Sequence, residues 1–237
     1  MKFEQAMIFA AGFGTRMLPL TKNVPKALLE VNNLTLLEHH LEDLLKCNFK
    51  RIIINAHYLS EQITPISKKY GSKVKVLVED EILETGGGIF NAIKKGYISY
   101  DPLILINSDV LCKDRIINSV KKMLGLWDSQ KMKILLNLIH KKNFIGYKGD
   151  GDFGLQNPNA KISKISPQSK KTSFVFTGLQ IFDPYTLSGF TKKKFSLSDV
   201  FKKELSKNNM FGRVDSSTWF HISSPHDYDS VIKAYEK

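Results

Sequence analysis

Cysteine is almost absent from this chain: 237 residues carry Cys47 and Cys112 and no others. Two thiols so far apart, with no metal-ligand spacing, exclude a zinc knuckle and a disulfide framework, and both are expected to be reduced. No apolar run approaches the roughly 18 residues that a membrane span needs, and the first residues lack the basic region, apolar stretch and small-residue cleavage site of a secretory leader. The reading is a cytoplasmic protein with no membrane partner. Two common nucleotide motifs are missing as well. After Gly12 and Gly14 the third glycine of a dinucleotide-binding turn does not follow, nor does the Gly-Lys-Ser/Thr ending of a P-loop. Acidic residues are outnumbered, 23 against 35 Lys and Arg, for a net charge of +12. The lysines are scattered in pairs such as Lys68-Lys69, Lys121-Lys122 and Lys170-Lys171 without interleaved aromatics, so a nucleic-acid partner is not expected. There is no internal repeat, linker or low-complexity tail. With 42% hydrophobic residues, the chain reads as one unit over residues 1–237.

What is present begins with the apolar run Ala6-Met7-Ile8-Phe9-Ala10-Ala11 and the loop Gly12-Phe13-Gly14-Thr15-Arg16 behind it. A buried first strand that ends in closely spaced glycines brings backbone N–H groups to a phosphate chain. Gly12 and Gly14 are expected to take positive φ and let the main chain approach a ligand, while Arg16 and Lys26 supply positive charge. Beyond the loop, strand and helix patterns alternate. Leu34 to Cys47 has leucines at helical spacing, with the adjacent pair His39 and His40 read as structural; Arg51 to Asn55 reads as a buried strand, Leu59 to Lys69 as a helix and Val74 to Val78 as a strand. These are βαβ units, and their ligands sit beyond the carboxyl ends of parallel strands. Asn55-Ala56-His57 is one such loop, with a plain connecting role expected for His57. The run Glu84-Thr85-Gly86-Gly87-Gly88 is another, read as a loop that lets backbone approach a ligand, ahead of a helix from about Gly88 to Tyr97. The apolar strand Pro102 to Ile106 leads to Asn107-Ser108-Asp109, which places a carboxylate where Mg²⁺ can be held against phosphate oxygens.

The second half changes character. A strand from Met132 to Leu138 precedes the glycine-rich turn Gly146 to Phe153; segments near Leu155, Lys161 to Ile165 and Ser173 to Phe182 read as a small antiparallel insertion over one side of the cleft. Ser196 and Asp199 have capping-box spacing at the start of a helix, with Asp in place of Glu. The fold class is therefore α/β, Rossmann-like, with a mixed, mostly parallel sheet flanked by helices.

Gly12-Phe13-Gly14-Thr15-Arg16-Met17-Leu18-Pro19-Leu20-Thr21 with Pro25-Lys26, then Glu84-Thr85-Gly86-Gly87-Gly88-Ile89, Asn107-Ser108-Asp109-Val110 and Gly151-Asp152-Phe153, resembles the sugar-1-phosphate nucleotidylyltransferases. Among their branches it resembles the short bacterial enzymes that transfer UMP to N-acetylmuramate 1-phosphate in cell-wall recycling, and relatives labelled mannose-1-phosphate guanylyltransferases. The resemblance implies a glycosyltransferase-A-like nucleotidyltransferase fold, with a nucleotide half over about 1–125 and a sugar-phosphate half over about 126–237. It implies Arg16, Lys26 and Asp109 as catalytic groups and Ala11, Gly12, Gly14, Thr15, Glu84 and Gly86 as nucleotide contacts. Thr85, Gly87, Asp152, Thr177 and Gly178 are the implied sugar-phosphate contacts, although Asp152 also suits a turn and Thr177 also suits core packing. The implied cofactor is Mg²⁺, and the implied substrates are a nucleoside triphosphate, UTP or GTP, and a sugar 1-phosphate. Two positions depart from the pattern. Ser108 stands where the family usually has Gly, and His221, two residues after Trp219, stands where it has a second metal-binding aspartate. These departures are the sequence support for an alternative, a non-catalytic nucleotide-sugar-binding regulatory protein.

Overall fold

The structure, a computed structural model, describes residues 3–166 and 174–235. Its centre is a nine-stranded sheet formed by β1 (Gln5–Phe9), β2 (Arg51–Ala56), β3 (Val74–Val78), β4 (Leu103–Asn107), β5 (Ile134–His140), β6 (Gly154–Leu155), β7 (Ser163–Ser166), β8 (Phe174–Phe182) and β9 (Met210–Asp215). They lie in the order β6-β7-β9-β5-β8-β4-β1-β2-β3. β3, β2, β1 and β4 are parallel neighbours, β5 and β9 form a second parallel pair, and β8 runs antiparallel between the two groups. The class is the mixed α/β one expected.

β1 can be an unbroken apolar run because both faces of the sheet are covered. Ala6 and Ile8 pack with Leu37, Leu41 and Leu44 of α1 (Leu36–Lys46), Ile63 of α2 (Ser60–Tyr70) and Val120 and Met123 of α4 (Ile117–Leu126). Met7 and Phe9 face the other way, onto Ile89 and Ala92 of α3 (Glu84–Lys94) and Val200 of α5 (Leu197–Ser206). The terminal α6 (Pro225–Tyr235) places Val231 in a third cluster with Met17, Leu36 and Phe220, which anchors the chain just after the first loop. The strand Trp219–His221 pairs antiparallel with Val110–Cys112, so His221 lies opposite Val110, next to Asp109.

Two local expectations change. The segments expected as antiparallel strands are antiparallel, but they continue the main sheet, and β8 occupies its middle, hydrogen-bonded on both sides; a strand buried on both faces reads from sequence like any apolar run. Ser173, expected to open that strand, and the Lys170-Lys171 pair lie outside the described residues. The Ser196 cap forms, its Oγ accepting from Ser198 N at 3.2 Å, but Asp199 faces Lys202 instead of reaching back, because aspartate is one methylene shorter than the glutamate of a capping box. A full box does form at α1, where Thr35 Oγ1 accepts from Glu38 N and Glu38 Oε2 accepts from Thr35 N at 3.0 Å.

Both histidines of α1 are buried. His39 Nε2 lies 2.8 Å from the Val31 carbonyl oxygen. His40 is enclosed, and burial drives its imidazole down from the usual value to about 3, with His39 adding to the effect. Both thiols are free, and burial pushes that of Cys112 up to about 12. Among the described residues no helix is long and apolar enough to cross a membrane.

Candidate active site

β1, β2, β3 and β4 end at one edge of the sheet, and a cavity of about 420 Å³ opens there. Its walls take in Ala10 to Met17, Lys26, Asn55, Glu79, Ile82, Glu84, Thr85 and Asn107 to Asp109. A parallel sheet concentrates functional loops at this edge, because each strand must leave the core there to reach its crossover helix.

The first loop holds its shape through few contacts. Gly14 has φ +65, and a Cβ there would sit 3.1 Å from Thr21 Cγ2 and 3.2 Å from Lys26 Cβ, so glycine is required by both conformation and space. Thr21 Oγ1 donates to the Gly14 carbonyl at 2.8 Å, and Met17 N closes a short turn onto the same carbonyl. Gly12 does not take the expected positive φ, and a Cβ there would meet nothing within 4 Å. Its freedom from protein contact on the cavity wall leaves room for a ligand. Gly12, Phe13 and Gly14 donate no N–H to another described residue, which leaves these amides available to an anion. Phe13 stands edge-on to the rings of His57 and Tyr58, at 5.6 and 5.8 Å between centroids, and ties the loop to the chain after β2. His57 Nδ1 sits 2.8 Å from the Glu79 carbonyl oxygen, the connecting role expected of it.

Lys26 and Asp109 meet across the cavity, Nζ to Oδ2 at 2.7 Å, and His221 Nε2 lies 3.8 Å from the same oxygen. Burial alone would raise the Asp109 carboxyl; the Lys26 ammonium and the His221 imidazole outweigh it and hold the group well below the usual carboxylate range. Asp109 is thus a firmly ionised carboxylate, three-quarters buried, beside a lysine that is 14% exposed. Arg16 is exposed on the cavity wall.

Sequence reasoning passed over a second polar chain. Asn55 Oδ1 accepts from Ala10 N at 3.0 Å, and Asn55 Nδ2 donates to Glu79 Oε1 at 2.9 Å. The two side chains, buried at the ends of β2 and β3, pin the start of the phosphate loop to the neighbouring strands. Glu79 Oε2 has no hydrogen-bond partner, and burial raises its carboxyl above the usual value despite the Asn55 amide. The available signal was a polar residue at the last turn of two successive apolar strands.

The remaining expected contacts divide. Ala11, Gly12, Gly14, Thr15, Glu84 and Thr85 line the cavity with the three expected catalytic groups. Glu84 carries φ +62, a left-handed conformation uncommon for a non-glycine residue. Gly86 and Gly87 do not line the cavity, and this corrects the loop expected there. They lie in the first turns of α3, both amides donating to the Phe195 carbonyl at 3.0 Å. A Cβ on Gly86 would come within 2.4 Å of the Phe195 ring, and one on Gly87 within 2.4 Å of the Lys193 carbonyl oxygen. Their purpose is close packing of the helix on the chain before α5. Thr177 is fully buried, exchanging hydrogen bonds with Asn137, and Gly178 (φ +81) packs on the Asn107 side chain; neither reaches the cavity wall. Asp152 accepts from Tyr147 Oη and Phe176 N, both at 2.8 Å, the turn role that was its alternative. His221 stays outside the wall as well.

A mixed α/β sheet with an amide-rich glycine loop, an exposed arginine and an ionised carboxylate–lysine pair at one strand edge is the arrangement that binding a phosphate chain calls for. The family it belongs to follows from comparison: residues 5–237 match the nucleotidyl transferase family, and the chain is a member of it. It is 27% identical over 226 residues to N-acetylmuramate alpha-1-phosphate uridylyltransferase of Caulobacter vibrioides, covering 93% of this chain and 92% of that protein. It is 25% identical over 234 residues to the mannose-1-phosphate guanylyltransferase catalytic subunit beta of Danio rerio, covering 94% of this chain but 62% of that longer protein. A putative glucose-1-phosphate thymidylyltransferase from Bacillus anthracis, solved with sucrose, has the same fold, with a TM-score of 0.77 at 19% identity over 98% of this chain and 95% of that one.

Proposed function

We propose that this nucleotidyltransferase condenses UTP with N-acetylmuramate 1-phosphate to give a UDP-sugar and pyrophosphate, in the cytoplasm and with Mg²⁺, the chain from 1 to 237 acting as one catalytic unit. The observation that carries the reaction type is the Lys26–Asp109 pair on the wall that also holds the amides of Gly12 to Gly14 and Arg16. The choice of sugar and base is supported by the near full-length match to the Caulobacter vibrioides uridylyltransferase. The reading with GTP and mannose 1-phosphate has its support in the Danio rerio match.

The chemistry asks for positioning and charge rather than a base. A sugar-phosphate oxygen is already anionic at neutral pH; it attacks the α-phosphorus, a new P–O bond forms, and the electron pair of the broken α–β bridge leaves with pyrophosphate. Loop amides and Arg16 bind the departing β- and γ-phosphates. Lys26 bonds the α-phosphate and steadies the attacking oxygen. Lys26, paired here with Asp109, turns toward the phosphates when the substrates enter, and the freed carboxylate of Asp109 would hold the magnesium ion.

The donor set suits magnesium only in part of its shell. Among the described residues no three His, Cys, Asp or Glu side chains converge. Magnesium keeps several waters and takes one or two carboxylates together with substrate phosphates, which Asp109 satisfies; His221, a softer donor, is placed to hold Asp109 in orientation. Bound there, the ion supplies charge neutralisation between the two substrates. The test is pyrophosphate release with UTP and N-acetylmuramate 1-phosphate beside GTP and mannose 1-phosphate, each with magnesium and with chelator. Magnesium-dependent release with the first pair supports the proposal. Release confined to the second pair replaces it with the guanylyltransferase reading.

A further inference from the structure

At the amino ends of β2 and β3, away from the catalytic edge, a second cavity of about 400 Å³ opens beside the last turn of α3. Its charged wall has one sign: Lys50, Arg51, Lys75 and Lys95 line it, with Gly96 and Tyr97, and no acidic side chain of the described residues does. Strand geometry explains the clustering. Ile53 lies opposite Lys75, and Arg51 shares the face of Ile53, so Arg51 and Lys75 project from the same side of the sheet, the side that α3 covers. Arg51 Nη1 donates to the Tyr97 carbonyl at 3.2 Å, which anchors one nitrogen of the guanidinium at the cavity wall. Lys50 pairs with the exposed Glu4, whereas Lys75 and Lys95 make no ion pair among the described residues. Gly96 (φ +72) has nothing within 4 Å of where a Cβ would stand, so the rim of the cavity is open main chain.

We propose that this cavity is a second anion site, one that takes a small molecule bearing a di- or triphosphate group. An anchored arginine gives geometric recognition of phosphate oxygens, and two flanking ammoniums match the charge that a diphosphate carries and a monoanion does not. Arg51, Lys75 and Lys95 line the cavity without an ion pair among the described residues, and a di- or triphosphate carries the charge that would pair them. The same helix joins the two sites, since Glu84 and Thr85 at its start line the catalytic cavity and Lys95 just past its end lines this one. The inference does not rest on which nucleotide or sugar the catalytic site takes.

Titration of the ¹⁵N-labelled protein with inorganic pyrophosphate, followed at the amides of Gly96 and of Ser72, which also lines the cavity, tests it. Both amides shift saturably in the wild type, and in the double variant Lys75→Gln/Lys95→Gln the apparent affinity at them falls at least tenfold while the responses of Gly12 and Gly14 are unchanged. Lys75 and Lys95 are exposed, so the variant folds. No shift at Ser72 and Gly96, or the same affinity in the variant, overturns the proposal, as does a short single-stranded oligonucleotide that moves these amides at lower concentration than pyrophosphate. Silence at Gly12 and Gly14 alone counts against the nucleotide reading of the first site and leaves this one standing.

Discussion

Replacement of Lys26 by methionine keeps most of the stem and removes the ammonium, and its consequences can be worked from the pair it makes. Two losses follow together. On the proposed mechanism the α-phosphate loses its lysine contact, and Asp109 is left three-quarters buried with His221, 3.8 Å away, as its remaining neighbour. Loss of one preorganised group facing developing charge typically costs about 10²- to 10³-fold in turnover, or about 3–4 kcal/mol of transition-state stabilisation. Breaking a fully buried ion pair costs about 3–5 kcal/mol, and the partial exposure of Asp109 reduces this to about 1–2 kcal/mol of folding stability. The stability part carries a pH signature. Asp109 has a depressed carboxyl pKa in the folded protein, so its contribution is present above the unfolded value of about 4 and is lost as pH falls toward the folded value. Without Lys26 the depression is relieved, and the stability difference between wild type and Lys26→Met is therefore largest at pH 7 and shrinks below pH 4. Pyrophosphate-release kinetics at saturating substrates and urea denaturation between pH 3 and 7 measure both. Turnover within threefold of wild type, or a stability difference independent of pH, would refute the reasoning.

Arg16→Ala should lower turnover by orders of magnitude and leave the denaturation midpoint in place, since the side chain is exposed and packs on nothing; a wild-type rate removes Arg16 from the mechanism. Gly87→Ala and Gly12→Ala should separate structural from functional glycine. The first forces a methyl against the Lys193 carbonyl and is expected to cost about 1–3 kcal/mol by thermal unfolding, while the second leaves stability intact and weakens nucleotide binding. The opposite pattern would reverse the roles given to the two glycines. His40 is buried as the neutral imidazole, so the unfolded state takes up a proton below pH 6.5 that the native state refuses until about pH 3. Over that window wild type should lose stability relative to His40→Leu by about 1.4 kcal/mol per pH unit, as urea midpoints at pH 6.5, 5 and 4 will show; parallel pH profiles would place a partner on the ring.

How far the sequence reveals the site depends on the range of the contacts involved. Gly14, Arg16 and Lys26 sit within one stretch, and Asp109 marks the tip of an apolar strand, so local pattern finds them. Gly86 and Gly87 look the same as Gly14 in sequence, yet the partner that demands them is Phe195 and its neighbours, more than a hundred residues away. The Asn55–Glu79 bond that secures the phosphate loop needs β2 and β3 side by side, and the place of β8 between β4 and β5 follows from pairings that no periodicity encodes. Alternating strand and helix reveal the class of fold; sheet order and the choice among glycines come from tertiary contact.

The central claim is that a sugar-phosphate oxygen attacks the α-phosphorus of the nucleotide held by the first loop, and isotope tracing tests it most directly. N-acetylmuramate 1-phosphate carrying ¹⁸O in its phosphate is turned over with unlabelled UTP, and the products are weighed by mass spectrometry. All of the label in the UDP-sugar, with unlabelled pyrophosphate, is the expected result; ¹⁸O in pyrophosphate or in free orthophosphate would contradict the account.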